Sequence, residues 1–337
     1  MTSKTATPKD RAGPADAAVE RHMALFRAAV APHIEPDGRF ALLDVPEHGN
    51  IGDSAIYAGE LAFFDDHVGH RPNTICTWAA DLDWLERQLP AEGPIFLHGG
   101  GNFGDLWMNH QNFRHAVLQR FKDRKIVQLP QSIHYRDPAG IAETARLISA
   151  HGNFTLLVRD RPSLDLARQH FDCETALCPD AAMMLWKLDP GIAPQTDLLV
   201  VLRDDIEAVR DETHYWLKSR YPTADWVDVD VWTLPVRVVW KLVRSLPDNR
   251  LGMIWREIMY RRQARQRVMA GARQLAAGRR IVTDRLHMHL ISTLIRRPHV
   301  VLDNSYGKIG RYIDAWGADD LTVQVSSLED LQRTLAS

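Results

Sequence analysis

Arg285, His287 and His289 stand where Ile281-Val-Thr283 reads as a short buried strand and the following apolar run as a helix. A helix N-terminus carries unpaired N–H groups and a partial positive charge, so a guanidinium and imidazoles placed there make a candidate pocket for an anion. Arginine forks onto carboxylate or phosphate, and histidine titrates near neutrality and can move a proton. His287 and His289 are only two residues apart. On a helix they point to different faces, so they do not form an H-x-x-x-H metal pair, and no metal is expected.

Two glycine loops follow strands elsewhere in the chain: His48-Gly-Asn-Ile-Gly-Asp-Ser54 and Gly99-Gly-Gly-Asn-Phe-Gly104. Glycine lets backbone N–H groups approach an anion closely, and strand carboxyl ends are where open parallel sheets bind ligands. Asn50, Gly52, Asp53, Gly99, Gly100, Gly101 and Asn102 are therefore candidate binding residues; the competing reading is a pair of tight turns, with Asp53 or Ser54 as a helix cap. Arg159 and Arg203 each follow a strand, Phe154–Val158 and Asp197–Leu202, and either forks onto a ligand anion or pairs with its neighbour Asp160 or Asp204. Asp180, in Cys178-Pro-Asp-Ala-Ala182, faces the same cleft or caps a helix. The turn Asp303-Asn-Ser-Tyr-Gly-Lys308 adds Asn304 and Lys308. A serine-hydrolase reading would use Ser54 with His287, with His98-Gly-Gly-Gly101 as an oxyanion loop. Against it, the serine lies well past the strand end and no G-x-S-x-G is present.

These residues need strands to carry them. After a polar segment 1–15, expected to be disordered, short apolar strands alternate with helices from Phe40-Ala-Leu-Leu-Asp-Val45 to the end. That alternation indicates parallel sheets covered on both faces. Asp189-Pro-Gly-Ile-Ala-Pro194 is rich in turn formers and divides two doubly wound, Rossmann-like α/β domains, 16–188 and 195–337, facing each other across a cleft. Pro130-Gln-Ser-Ile-His134 reads as a loop after strand Lys125–Leu129, and Trp226-Val-Asp-Val229 as a strand.

The formal net charge of −2 gives no pull toward nucleic acid, and three cysteines without a C-x-x-C pair suit a reducing cytoplasm. The N-terminus lacks the apolar core of a signal peptide, and no window reaches the ~18 uninterrupted apolar residues of a spanning helix. Segment 236–280 breaks the pattern, with twelve Lys/Arg against Asp248 and Glu257 and with Trp240, Trp255 and aliphatic residues between them. A basic amphipathic insert of this kind favours an anionic membrane surface, which predicts a cytoplasmic protein peripheral to the inner face of the membrane.

In order, Gly49-Asn-Ile-Gly-Asp53, His98-Gly-Gly-Gly-Asn-Phe-Gly-Asp105, Leu129-Pro-Gln-Ser132, Val158-Arg-Asp160, Cys178-Pro-Asp180, Thr283-Asp-Arg-Leu-His287 and Asp303-Asn-Ser-Tyr-Gly-Lys308 resemble the polysaccharide pyruvyl transferases of exopolysaccharide biosynthesis. Each motif is short, but together they span most of the chain. The resemblance implies two domains arranged as in GT-B glycosyltransferases, phosphoenolpyruvate as donor, no further cofactor, and a sugar acceptor with two nearby hydroxyls, in an exopolysaccharide repeat unit or its lipid-linked precursor. It maps the donor-holding arginine onto Arg285 and the general acid onto His287. The basic insert matches nothing in the family's core pattern. Two other readings stay open: a GT-B glycosyltransferase using a nucleotide sugar, and a non-catalytic, membrane-peripheral scaffold of polysaccharide assembly.

Overall fold

The computed structural model describes residues 14–186, 188–204, 208–226, 238–239, 241–243, 245–246, 250–303 and 307–336. Two parallel sheets carry the fold. The first contains β1 (Ala41–Leu43), β2 (Thr74–Cys76), β3 (Ile95–Leu97), β4 (Gly100–Gly104), β5 (Ile126–His134), β6 (Phe154–Val158) and β7 (Glu174–Leu177). Its order is β2-β1-β3-β5-β6-β7, with β4 also paired to β5. The second contains β8 (Thr196–Val201), β9 (Thr223–Ala224), β10 (Gly278–Thr283), β11 (His299–Val301) and β12 (Thr322–Gln324), in the order β12-β11-β10-β8-β9. The inner strands β1, β3, β6 and β11 are buried at every position, as expected for strands covered on both faces.

Each sheet reverses direction once. In the first, the chain leaves β1 for β2 on one side and returns to β3 on the other. In the second it leaves β8 for β9 and returns to β10 on the opposite side. Crevices open beyond the carboxyl ends of strands at such switch points. Both glycine segments lie at the first one, and Arg203 and Arg285 lie at the second.

The helices are α1 (Pro14–Val30), α2 (Ile51–His67), α3 (Leu82–Gln88), α4 (Met108–Arg120), α5 (Pro138–His151), α6 (Arg161–His170), α7 (Glu212–Arg220), α8 (Arg250–Ala276), α9 (Leu286–Leu294), α10 (Lys308–Trp316) and α11 (Leu328–Ala336). One hydrophobic cluster runs through both halves, joining Phe40, Leu42 and Phe96 of the first sheet to Val201, Ile281 and Val301 of the second through α2, α8 and α9. The α2–α8 contact is close: a Cβ on Gly271 would stand 2.8 Å from Ile51 Cγ2 and 2.9 Å from Trp226 Cζ3.

Several expectations are corrected here. Residues 130–134 are not a loop. β5 continues through them because, after an irregularity between Gln128 and Gln131, its second half pairs with β4. Pro130 sits at that irregularity, where a strand tolerates a residue without an N–H. Gly52, Asp53 and Ser54 are helical rather than loop residues, because Asn50, not Asp53 or Ser54, caps α2 by accepting the Gly52 N–H at 2.8 Å. The strand expected at 226–229 falls on residues of which 227–229 lie outside those described, as do residues 1–13; a strand is present at Thr223–Ala224.

The basic segment is partly internal in its described part. α8 buries Glu257, Gln263 and Arg267. Arg261 pairs with Glu257 at 2.6 Å and also with Asp65, and Arg71 reaches Glu257 at 3.1 Å. What stays exposed is narrower: Val238, Val239, Leu242, Leu251, Ile254 and Trp255 among the apolar residues. No helix of the described residues is long and apolar enough to cross a membrane.

Candidate active site

A cleft of about 450 Å³ opens at the two switch points. The first half contributes Asp44, His48, Asn50, Asp53, His98, Gly101, Asn102, Trp107, His110 and Arg159. The second contributes Arg203, Trp226, Arg285, Leu286, His287 and Lys308. Of the residues singled out from the sequence, Asn50, Asp53, Gly101, Asn102, Arg159, Arg203, Arg285, His287 and Lys308 converge on this cleft. Asn304 lies outside the described residues.

The floor is built around Asp180. It is buried, caps the 3-10 turn Ala181–Leu185 through the Ala182 N–H, and accepts from Arg159 Nη1 at 2.5 Å. His287 Nε2 stands 3.3 Å from the same carboxylate oxygen. Asp180 therefore lies beneath the cleft wall and positions both a guanidinium and an imidazole. Burial pushes its carboxyl up, but His287 and Arg159 outweigh that and hold it well below the usual carboxylate range. Ser132 Oγ accepts from Arg159 Nε at 2.9 Å and donates to Asp160 at 2.6 Å, which fixes the guanidinium plane.

The glycines make room for these side chains. A Cβ on Gly52 would stand 2.5 Å from His287 Nδ1, and one on Gly101 would stand 3.1 Å from Arg159 Nη2 and 4.0 Å from Lys308 Nζ. Gly100 has φ +127°, a left-handed conformation reserved in practice for glycine. Gly99 lies against the carbonyl of Pro130, and its N–H donates to Glu60. Asn102 Oδ1 accepts from Arg114 at 2.9 Å and Gln131 at 2.8 Å, so its orientation is set from below.

On the other wall, Arg285 forks onto Asp225 with two bonds of 2.6 Å each. Its guanidinium was expected to fork onto the donor; in the structure the fork is taken by a carboxylate of the cleft wall. Asp284, fully buried, accepts the Arg203 N–H at 2.8 Å and ties that strand end in place. Asp303 accepts the N–H groups of Ile309 and Gly310 at 3.1 Å and so anchors the start of α10, from which Lys308 projects. Burial raises the Asp53 carboxyl, but His48, His287, His98 and Arg159 lower it more and hold it below the usual carboxylate range. Ser54 is buried and donates to the Asn50 carbonyl at 2.8 Å, so it is not presented to the cleft as the nucleophile of a serine hydrolase. His289 is in a different environment from His287: it is buried within α9 with its Nδ1 2.7 Å from His299 Nε2.

Sequence reasoning missed Glu60, Asp225, Arg114 and the pair Asp44–His110, whose contact is 2.7 Å. Asp44 has φ +64°, an unusual backbone for a non-glycine residue at a strand end, but φ is not written in the residue type. Arg114, buried and without a carboxylate partner among the described residues, holds Gln128, Gln111 and Asn102 together and lies 4.4 Å over the Phe103 ring. It is the scaffold of the glycine strip.

Residues 50–306 match the family model described as polysaccharide pyruvyl transferase. A Bacillus subtilis protein named a pyruvyl transferase, EpsO, is 31% identical over 278 residues, covering 81% of this chain and 84% of that one. Pyruvyl transferase 1 of Schizosaccharomyces pombe is 30% identical over 318 residues, covering 86% and 74%. Among solved structures, a functionally uncharacterised protein of Klebsiella pneumoniae superposes with a TM-score of 0.58 at 16% identity, over 90% of this chain and 98% of that one. That likeness is one of fold.

Proposed function

The chain belongs to the polysaccharide pyruvyl transferase family, and on that premise we propose that it moves pyruvate from phosphoenolpyruvate onto two hydroxyls of a sugar in an exopolysaccharide repeat or its lipid-linked precursor, releasing phosphate. The observation that carries this reading is the floor of the cleft, where Arg159 and His287 share Asp180 beside Gly101 and Lys308. The donor is an anion with a phosphate and a carboxylate, and fixed guanidinium and ammonium groups in a partly dry cleft suit it. Arg159 and Lys308 hold those groups, and Arg203 adds positive charge from the facing wall, beside the Arg285–Asp225 pair. His287 protonates the enol methylene, so that C2 gains cationic character and a sugar hydroxyl attacks it. Phosphate leaves, and a second hydroxyl closes the ketal.

In this reading the two sheets form the halves of a GT-B-like cleft, with 16–188 and 195–337 as its domains. The exposed apolar face at Leu251, Ile254 and Trp255, with Lys241 and Arg262 exposed nearby, supports peripheral contact with an anionic membrane that carries a lipid-linked acceptor. The functional test is phosphate release from phosphoenolpyruvate that depends on added saccharide. Transfer from a nucleotide sugar with no such release would favour a glycosyltransferase, and neither activity would favour a scaffold.

A further inference from the structure

The reaction proposed above moves two protons, and His287 accounts for one. Phosphoenolpyruvate and a diol become a ketal and hydrogen phosphate. The C2–O bond to phosphate breaks and two C2–O bonds to the sugar form. One hydroxyl proton ends on C3, which becomes a methyl group, and the other ends on phosphate. A second station is needed to carry that proton.

We propose that His98, oriented by Glu60, is this second proton-transfer group: its Nε2 protonates the departing phosphate oxygen and then accepts the proton of the hydroxyl that closes the ring. The assignment rests on the pyruvyl-transfer reading. His98 follows β3 and precedes the glycine strip, and it lines the cleft. Its Nδ1 lies 2.7 Å from Glu60 Oε2, and the other Glu60 oxygen accepts the Gly99 N–H at 2.8 Å. Both side chains are buried, His98 at 2% exposure and Glu60 at 0%. A buried carboxylate with an N–H donor on one oxygen and an imidazole on the other fixes the tautomer and the ring plane. The working nitrogen is then Nε2, which has no partner among the described residues. Gln128 and Gln131 hold the His98 carbonyl at 2.8 and 3.0 Å, so the backbone is pinned as well.

The groups facing His98 are Glu60, Asp53 and Tyr57 from α2 and Asp44 from the end of β1. Burial alone would lower its pKa, but Glu60 outweighs it, followed by Asp53 and Asp44, and the imidazole is raised. The charged form, the one that can protonate a leaving group, is thus favoured. His287 and His98 share one design, an imidazole backed by a buried carboxylate.

The test compares wild type, His98→Gln, Glu60→Gln and His287→Ala in D2O, with phosphoenolpyruvate and a panel of nitrophenyl hexopyranosides. Phosphate release and deuterium at C3 of the recovered donor are followed together. Protonation of C3 and addition of the first hydroxyl precede phosphate loss, so a block at phosphate loss leaves the exchange running. H98Q is expected to release phosphate about 10²–10⁴-fold more slowly while still exchanging deuterium, whereas H287A loses both. E60Q keeps an acceptor for the Gly99 N–H, and its activity is expected to fall at a lower pH than in wild type as pH rises, because the imidazolium has lost its counter-ion. H98Q with wild-type release, equal loss of exchange and release, or an unmoved limb in E60Q overturns the assignment. If H98Q does not fold, as judged by calorimetry, the limb in E60Q decides alone. Wild type that neither exchanges nor releases phosphate with any of the panel overturns the pyruvyl-transfer reading, and this assignment with it.

Discussion

Asp180→Asn is the sharpest perturbation of the cleft floor. The change is isosteric and keeps an acceptor for the Ala182 N–H, but it removes the charge that Arg159 meets at 2.5 Å and His287 at 3.3 Å. Arg159 is then a guanidinium at 3% exposure without a carboxylate on its Nη1. Breaking a buried ion pair on one side costs about 3–5 kcal/mol, and the retained helix cap puts this variant near 3. At roughly 2 °C per kcal/mol for a chain of this size, the unfolding midpoint should fall by about 6 °C. The pH dependence follows from the direction of the shift. The folded-state pKa of Asp180 is depressed, so its contribution is complete above the ordinary carboxylate range and is lost as pH falls through the depressed value. The gap between wild type and variant should therefore be flat from about pH 8 to 5 and close only in stronger acid. Scanning calorimetry across that range measures both, and phosphate release should drop about 100-fold as His287 loses its orientation. A midpoint within 1 °C of wild type (far less than the roughly 6 °C derived above), or a gap that widens on acidification, would refute the view that Asp180 organises the floor.

Gly52→Ala should push the His287 ring aside, since its Cβ would stand 2.5 Å from Nδ1; turnover should fall while calorimetric binding of phosphoenolpyruvate is kept, and full turnover would show that the ring can yield. Gly101→Val should do the reverse, weakening donor binding at least tenfold with an unchanged unfolding midpoint, because it presses on Arg159 and Lys308. His289 is pushed down to about 3 by burial and by His299, so it stays neutral in the fold but titrates when unfolded. Stability should then decline as pH falls from about 6.5 to 4, and His289→Gln should flatten that decline in thermal scans; an unchanged slope would count against it. Trp255→Glu should reduce sedimentation with anionic vesicles at low salt, and equal binding by both proteins would remove this face from any membrane role.

What was legible in the sequence is what the strands carry directly. Two glycine segments after neighbouring strands had to meet, because β1 and β3 are parallel partners in register from Ala41↔Ile95 to Leu43↔Leu97. The Arg285–His287 junction was legible because a strand-to-helix step exposes its N–H groups wherever it occurs. The partners of these residues were not. Glu60 meets His98, Asp225 meets Arg285 and Asp44 meets His110 only after the sheets have ordered themselves, and no local pattern marks a side-chain pair of that separation. The ion pairs inside the basic segment were illegible for the same reason. Arg261 is a surface charge by periodicity, yet its carboxylate partner Asp65 lies 196 residues away on α2. Pro130 misled in the opposite direction, since a proline usually ends a strand and here sits at a register shift within one.

The central claim is that this cleft joins pyruvate to two hydroxyls of one sugar. Its most direct test is mass spectrometry of saccharide incubated with purified protein and phosphoenolpyruvate, with released phosphate measured in the same tube. The expected result is a product heavier than the acceptor by one pyruvate less one water, formed one-for-one with phosphate and absent with His287→Ala. Phosphate release without that mass gain, or the mass gain undiminished in His287→Ala, would contradict it.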